Sequence, residues 1–116
     1  MNEISGVIVL VTAGDNEEAN LIARVLLEQK KTACVNIIDG MSSNYWWKGA
    51  IENVTESLLV IKTSTTLLDA VIELVKEIHS YDNPEIIALP IIGGSTEYLE
   101  WLSASLKTDL PKNPAP

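Results

Sequence analysis

Phenylalanine is absent from this 116-residue chain, cysteine and histidine occur once each, and 8 bases stand against 16 acids. Without Phe the core must be aliphatic, built from Val, Ile, Leu and Ala. The lone Cys34 rules out an intrachain disulfide and argues against a secreted disulfide scaffold. A net charge of −8 disfavours nucleic-acid binding, which needs concentrated Lys and Arg. An acidic surface can attract cations, but it more often only keeps a protein soluble. No apolar run approaches the roughly 20 residues of a membrane span, and Met1-Asn2-Glu3 lacks the basic start of a signal peptide. The expectation is a cytoplasmic protein that binds neither membrane nor nucleic acid. Enzyme signatures are missing too: there is no nucleophile elbow, no phosphate-cradling glycine loop and no HExxH. Gly93-Gly94-Ser95 before a helix is only a weak anion signal. The chain reads as a non-enzyme.

What is present has a clear order. Ile4 to Val11 is nearly continuous in aliphatic residues, as in a central strand. Gly14 breaks it, and Asp15 with Glu18 looks like a capping box. Ala19, Ile22, Ala23, Leu26 and Leu27 then fall at helical spacing, and Lys30 and Lys31 close that helix. Thr32 to Tyr45 is β-rich, with Gly40 marking a bulge or bend and Gly49 a turn. Ala50 to Lys62 returns as a strand, polar at first and then apolar on both faces over Leu58-Leu59-Val60-Ile61. Thr63 to Thr66 offer N-caps for a helix carrying Leu67, Val71, Leu74 and Ile78. A loop from His79 to Pro84 leads to a strand from Ile86 to Ile92, where Pro90 requires a sheet edge. Ser95 can cap a last helix bearing Tyr98, Trp101, Leu102 and Leu106.

Strand, helix, strand, strand, helix, strand, helix gives an α+β, ferredoxin-like βαββαβ sandwich with an extra C-terminal helix. Strands one and three should lie in the middle. One domain is expected over residues 1–106, and the proline-containing tail 107–116 is expected to be disordered. The second and third strands form a long hairpin with arms of about 14 residues, roughly 45 Å at 3.3 Å per residue. The usual strand is about 5–6 residues, so half of each arm projects beyond the domain's own sheet. Trp46 and Trp47 sit at its tip, beside Tyr45. Exposed aromatics on a projection dock onto something, and another copy of the chain under cyclic symmetry is the simplest partner.

Several of these stretches resemble the CutA family. They are Val9-Leu10-Val11-Thr12-Ala13, Ala33-Cys34-Val35-Asn36, Ser43 to Gly49 with its Tyr-x-Trp-x-Gly pattern, Ile61-Lys62-Thr63, His79-Ser80-Tyr81 through Pro84 to Pro90, and Tyr98-Leu99-Glu100-Trp101-Leu102. The resemblance runs from about Val7 to Leu102. It implies a ferredoxin-like fold, a homotrimer built by sheet extension between subunits, and tolerance of divalent cations, especially copper. It also implies an architecture similar to the PII signalling proteins. Val11 and Ile78 stand where some bacterial members carry a Cys and a His proposed as copper ligands, so only His79 carries over.

The candidate metal ligands are His79, Cys34, Asp82 and Glu85, meeting across an interface. One imidazole is not a site, because zinc and copper want about four ligands. His79 can equally be a helix-terminal histidine bonded to backbone, and Cys34 a small buried hydrophobe. Lys62 follows an apolar run and needs an acid, Glu85 or Asp82, or an anionic ligand. With Tyr81, Trp101 and Cys34 it could line a cleft between subunits. Tyr45, Trp46 and Trp47 are assigned to the trimer interface. Glu52 and Glu56 alternate on the hairpin and read as a solvated face or intersubunit salt bridges. The leading reading is a trimer binding copper or another divalent cation. The alternative is a PII-like signalling or assembly module taking a small anionic ligand or a partner's segment.

Overall fold

The computed structural model describes residues 5–106. The strand start expected at Ile4 and the tail expected from residue 107 lie outside them. The elements are β1 (Gly6–Ala13), α1 (Asn16–Glu28), β2 (Cys34–Trp47), β3 (Ala50–Ser64), α2 (Leu68–Ile78), β4 (Ile86–Pro90) and α3 (Thr96–Ser105). The four strands form one antiparallel sheet in the order β2-β3-β1-β4, with β1 and β3 central. Pro90 lies on the edge strand, where its missing N–H breaks no ladder. That strand stops at Pro90 rather than Ile92, with a single further bond from Ile91 N–H to the Gly6 carbonyl.

Side chains alternate across the sheet. Val7, Val9, Val11 and Ala13 of β1 and Leu59 and Ile61 of β3 face α1 and α2. There they pack on Ile22, Leu26, Val71 and Val75. Each large aliphatic side chain buried here contributes about 1.5–3 kcal/mol, and Ile22→Ala would cost about 2–5 kcal/mol.

Local chemistry sets the helix ends. Asp15, in extended backbone, accepts the Glu18 N–H at 2.8 Å. Glu18 reaches back to the Gly14 N–H at 3.0 Å, one residue beyond the usual capping box. Lys30 and Lys31 do close α1, but through backbone: Lys31 N–H bonds to Leu26 and Lys30 N–H to Leu27, with Lys30 left-handed at φ 58°. The Thr63–Thr66 run does not cap α2. Leu67 is the N-cap without a side-chain bond, because Thr63 Oγ1 donates to the Lys31 carbonyl and Ser64 and Thr66 bond each other. Ser95 does cap α3, accepting the Tyr98 N–H at 3.2 Å.

The hairpin projects as its length requires. β3 pairs with β1 only from Ser57 to Ser64, so Ala50 to Glu56 pair with β2 alone. Lys48 and Gly49, both at positive φ, make the two-residue turn, and the register slips between Ile38 and Met41, around Gly40. The molecule is drawn out to 48 × 26 × 23 Å.

The second face of the sheet is largely open. Register places Cys34, Lys62, Ile8 and Leu89 in one row across it. Asn36, Val60, Leu10 and Ile87 form the next, followed by Ile38, Leu58 and Thr12. Helix α3 covers only the end near Gly6, where a Cβ would lie 3.1 Å from Ile91 and 3.5 Å from Leu102. Ile38, Ile87 and Leu89 are exposed.

Candidate functional site

At the C-terminal end of β1 the open face deepens into a cleft of about 740 Å³. The outer hairpin forms one wall, with Met41, Tyr45, Trp46 and Trp47; the loop after α2 forms the other, with Tyr81, Asp82 and Glu85. Thr12, Leu58 and Glu56 also line it.

Glu56 is the unexpected residue. It sits on a polar, alternating stretch, yet only 6% of it is exposed, which departs from a solvated face. Its Oε2 accepts the Tyr81 hydroxyl proton at 2.8 Å. Burial first, then the Glu56 hydrogen bond and charge, push the Tyr81 phenol well above its ordinary value, so it remains a donor.

The same loop is anchored from below. The His79 ring is fully buried. Its Nδ1 accepts the Tyr81 N–H at 3.1 Å, so the proton sits on Nε2 and is donated to the Thr12 carbonyl at 2.7 Å. Glu18 Oε2 accepts the Ser80 N–H at 2.7 Å while its Oε1 holds Gly14. Burial alone would raise the Glu18 carboxyl. The backbone donors Ser80 and Gly14 and the Ser80 side chain outweigh it and hold that pKa below the ordinary value. One carboxylate thus ties the start of α1 to the loop that walls the cleft.

A second polar group lies at the other end of the open face. The Lys62 ammonium donates to Asn36 Oδ1 and stands 4.0 Å from Cys34 Sγ. Cys34 is a free thiol. Burial first, then Cys34, raise the Tyr98 phenol, and Tyr98 packs on Trp101 at 5.5 Å between ring centres.

The expected residues therefore fall into two groups within one protomer. Tyr81, Asp82 and Glu85 line the cleft, with His79 beneath them. Cys34, Lys62 and Trp101 lie at the Tyr98 end, four residues of β1 away, about 13 Å at 3.3 Å per residue. Among the described residues no carboxylate comes within 4.0 Å of Lys62. Trp46 and Trp47 are 72% and 51% exposed at the hairpin tip, with Tyr45 exposed beside them.

These residues do not make a metal site within one protomer. Both His79 nitrogens are engaged, and among the described residues no group of three or more His, Cys, Asp or Glu could hold a metal ion. Sequence reasoning missed Glu56 and the double role of Glu18. For Glu56 the one signal was its position two residues before the apolar run of β3, on the same face as Leu58 and Val60; for Glu18 the signal was its cap spacing.

A family model described as CutA1 divalent ion tolerance protein matches residues 7–105. The chain is 46% identical over 104 residues to the chloroplastic protein CutA 1 of Oryza sativa subsp. japonica, covering 90% of this chain and 59% of the rice protein. It thus spans little more than half of that relative's length. It is 45% identical over 95 residues to the divalent-cation tolerance protein CutA of Thermus thermophilus, covering 82% of this chain and 92% of the other. The crystal structure of CutA1 from Oryza sativa matches with a TM-score of 0.88 at 45% identity, covering 91% of this chain and 97% of that one. Among the described residues no helix is long and apolar enough to cross a membrane.

Proposed function

The chain belongs to the CutA1 divalent ion tolerance family, and on that premise we propose that it acts as a homotrimer, without catalysis of its own, in tolerance of divalent cations, copper among them. The observation that carries this is the overhanging hairpin beside an open apolar sheet face. A lone projecting ribbon is marginal in water. Its unpaired edge and the Ile38, Ile87 and Leu89 side chains need cover. Neighbouring copies supply that cover under cyclic symmetry.

The cation belongs at a subunit boundary. Asp82 and Glu85 supply oxygens from the cleft wall, and a neighbour supplies further donors, Cys34 among them. His79 joins only by giving up its bond to Thr12. Light scattering should return three times the 12.7 kDa chain mass, and copper titration should show uptake that falls in the Asp82→Asn/Glu85→Gln variant. A stable folded species of one chain mass at low concentration overturns the assembly, and unchanged uptake overturns the ligand assignment.

Lys62 supports a second reading. A cation on the open face, with no carboxylate in reach among the described residues, suits a small anionic ligand or a partner's segment in a PII-like module. A thermal-shift screen over metals and nucleotides separates the two, since only a bound ligand raises the midpoint. The cytoplasm is the compartment we propose, because the free Cys34 thiol suits a reducing environment; cell fractionation checks it.

A further inference from the structure

We propose that the Asp39–Gly40 bulge is a register lock, with the Asp39 carboxylate as its latch. It holds the outer hairpin in the one of two strand registers that turns Tyr45 and Trp47 onto the open sheet face. The ground is a mismatch between the two ends of the hairpin. At the base Ile38 faces Leu58, while at the tip Trp47 faces Ala50. Those two frames differ by one residue. The extra residue is stored where Asp39 and Gly40 together stand opposite Ser57, as a β-bulge.

A second hairpin is open to the same sequence. Continued outward without a bulge, the base frame sets Tyr45 opposite Ile51 and Trp46 opposite Ala50. Trp47-Lys48-Gly49 then forms a three-residue loop, another common hairpin connection. Because side chains alternate, that slip carries Tyr45 and Trp47 to the opposite face and brings Ser42, Asn44 and Trp46 onto the open one.

The bulge decides between them. Asp39 Oδ1 accepts the Ser57 hydroxyl proton at 2.8 Å and the Gly40 N–H at 2.9 Å. Ser57 is fully buried, and its pairing with Ala13 is the last that β3 makes with β1. It therefore fixes the carboxylate where the hairpin leaves the body. The carboxylate in turn holds Gly40 in its left-handed backbone at φ 71°, a conformation glycine adopts at little cost. Slippage would pull Gly40 straight and break that bond. Asn44 and Asn53, opposed only in the bulged frame, agree with it through a 2.7 Å bond. The lock is a property of one chain. Only its use, presenting Tyr45 and Trp47 to a neighbouring copy, rests on the assembly proposed above.

Intrachain disulfide trapping in a Cys34→Ser background tests it, since only directly opposed cysteines lie within bridging distance. Ser43→Cys/Val54→Cys reports the bulged frame and Ser42→Cys/Val54→Cys the slipped one. With Asp39 and Gly40 in place, only the first pair should close. Asp39→Ala should speed closure of the second roughly tenfold, as loss of a charge-assisted hydrogen bond does, and Asp39→Asn, which keeps an acceptor, should restore most of the parent behaviour. A Cβ at Gly40 meets no atom within 4 Å, so Gly40→Val acts through backbone alone, because a β-branched residue avoids positive φ. The combined Asp39→Ala/Gly40→Val variant should close the second pair in preference to the first. Closure of the second pair with residues 39 and 40 unchanged overturns the proposal. So does an unchanged rate in Asp39→Ala, or a combined variant that still closes only the first pair. Chain mass is read on the same samples, and an intrachain bridge reports the register whether or not copies associate, so the lock and the proposed trimer can fail independently.

Discussion

The His79 imidazole donates its Nε2 proton to the Thr12 carbonyl at 2.7 Å, joining the end of α2 to the end of strand β1 across 67 residues of sequence. Its other nitrogen holds the Tyr81 N–H. The only histidine is thus a structural bracket beneath the cleft wall. His79→Ala leaves a buried carbonyl and an N–H without partners, which should lower stability by about 2–4 kcal/mol, read as an earlier denaturation midpoint. A variant of unchanged midpoint that loses copper uptake would instead make the imidazole a ligand.

Glu18 gives the fold an acid-sensitive joint. Its carboxyl pKa is depressed in the folded state, so the folded state binds its proton less readily than the unfolded chain does. The resulting stability is present above the unfolded value of about 4.3 and is lost as pH falls through the lower folded value. Glu18→Gln should therefore be less stable than the parent at pH 7, with the gap narrowing as pH drops below about 4. Thermal midpoints between pH 7 and pH 3 check this; a constant gap would remove Glu18 from the joint.

Lys30 is left-handed at the C-terminus of α1, a conformation that strains any residue with a Cβ. Lys30→Gly removes the strain while keeping the N–H bond to Leu27. It should stabilise the chain by up to about 1 kcal/mol, a rise in thermal midpoint of a few degrees. No gain, or a loss, would mean that the lysine side chain contributes more than its backbone costs.

Much of this architecture was legible because local chemistry and global fold agree. The uninterrupted aliphatic runs of β1 and β3 demanded central positions and have them, Pro90 demanded an edge, and Asp15 and Ser95 cap the helices they precede. The overhang was legible from length alone. The site was less so, because its parts are assembled by long-range contacts. Glu56 looks solvated in sequence, since nothing near it announces that Tyr81, 25 residues on, will bury it and supply a donor. For Lys62 the sequence points to an acid, Glu85 or Asp82, or to an anionic ligand, in a cleft between subunits. Within the protomer it meets Asn36 and Cys34, because cross-strand register decides its nearest neighbours.

Tyr81 and Glu56 test whether that buried pair holds the cleft open. Tyr81→Phe removes the hydroxyl and leaves a buried carboxylate without its donor. The expected loss is about 1–3 kcal/mol, seen in the denaturation midpoint. Adding Glu56→Gln should recover part of it, because a neutral amide tolerates burial better than an unpaired charge. Additive losses in the double variant would show that the two side chains act separately.

The assembly can be tested with two exposed residues on opposite sides of the protomer. Ile87 lies on the open sheet face and is 50% exposed; Leu21 lies on α1 and is 53% exposed. In an isolated protomer, a charge at either position meets water and changes stability by about 0.5 kcal/mol or less. If neighbours cover the sheet face, only one of them is truly exposed. Ile87→Glu then buries an unpaired carboxylate at each subunit contact. The trimer should fall apart toward the 12.7 kDa chain mass on dilution, while Leu21→Glu keeps the parent mass. Equal masses for both variants would place the contact elsewhere than the open face, and the row of Asn36, Val60, Leu10 and Ile87 would then have to be covered by a different molecule.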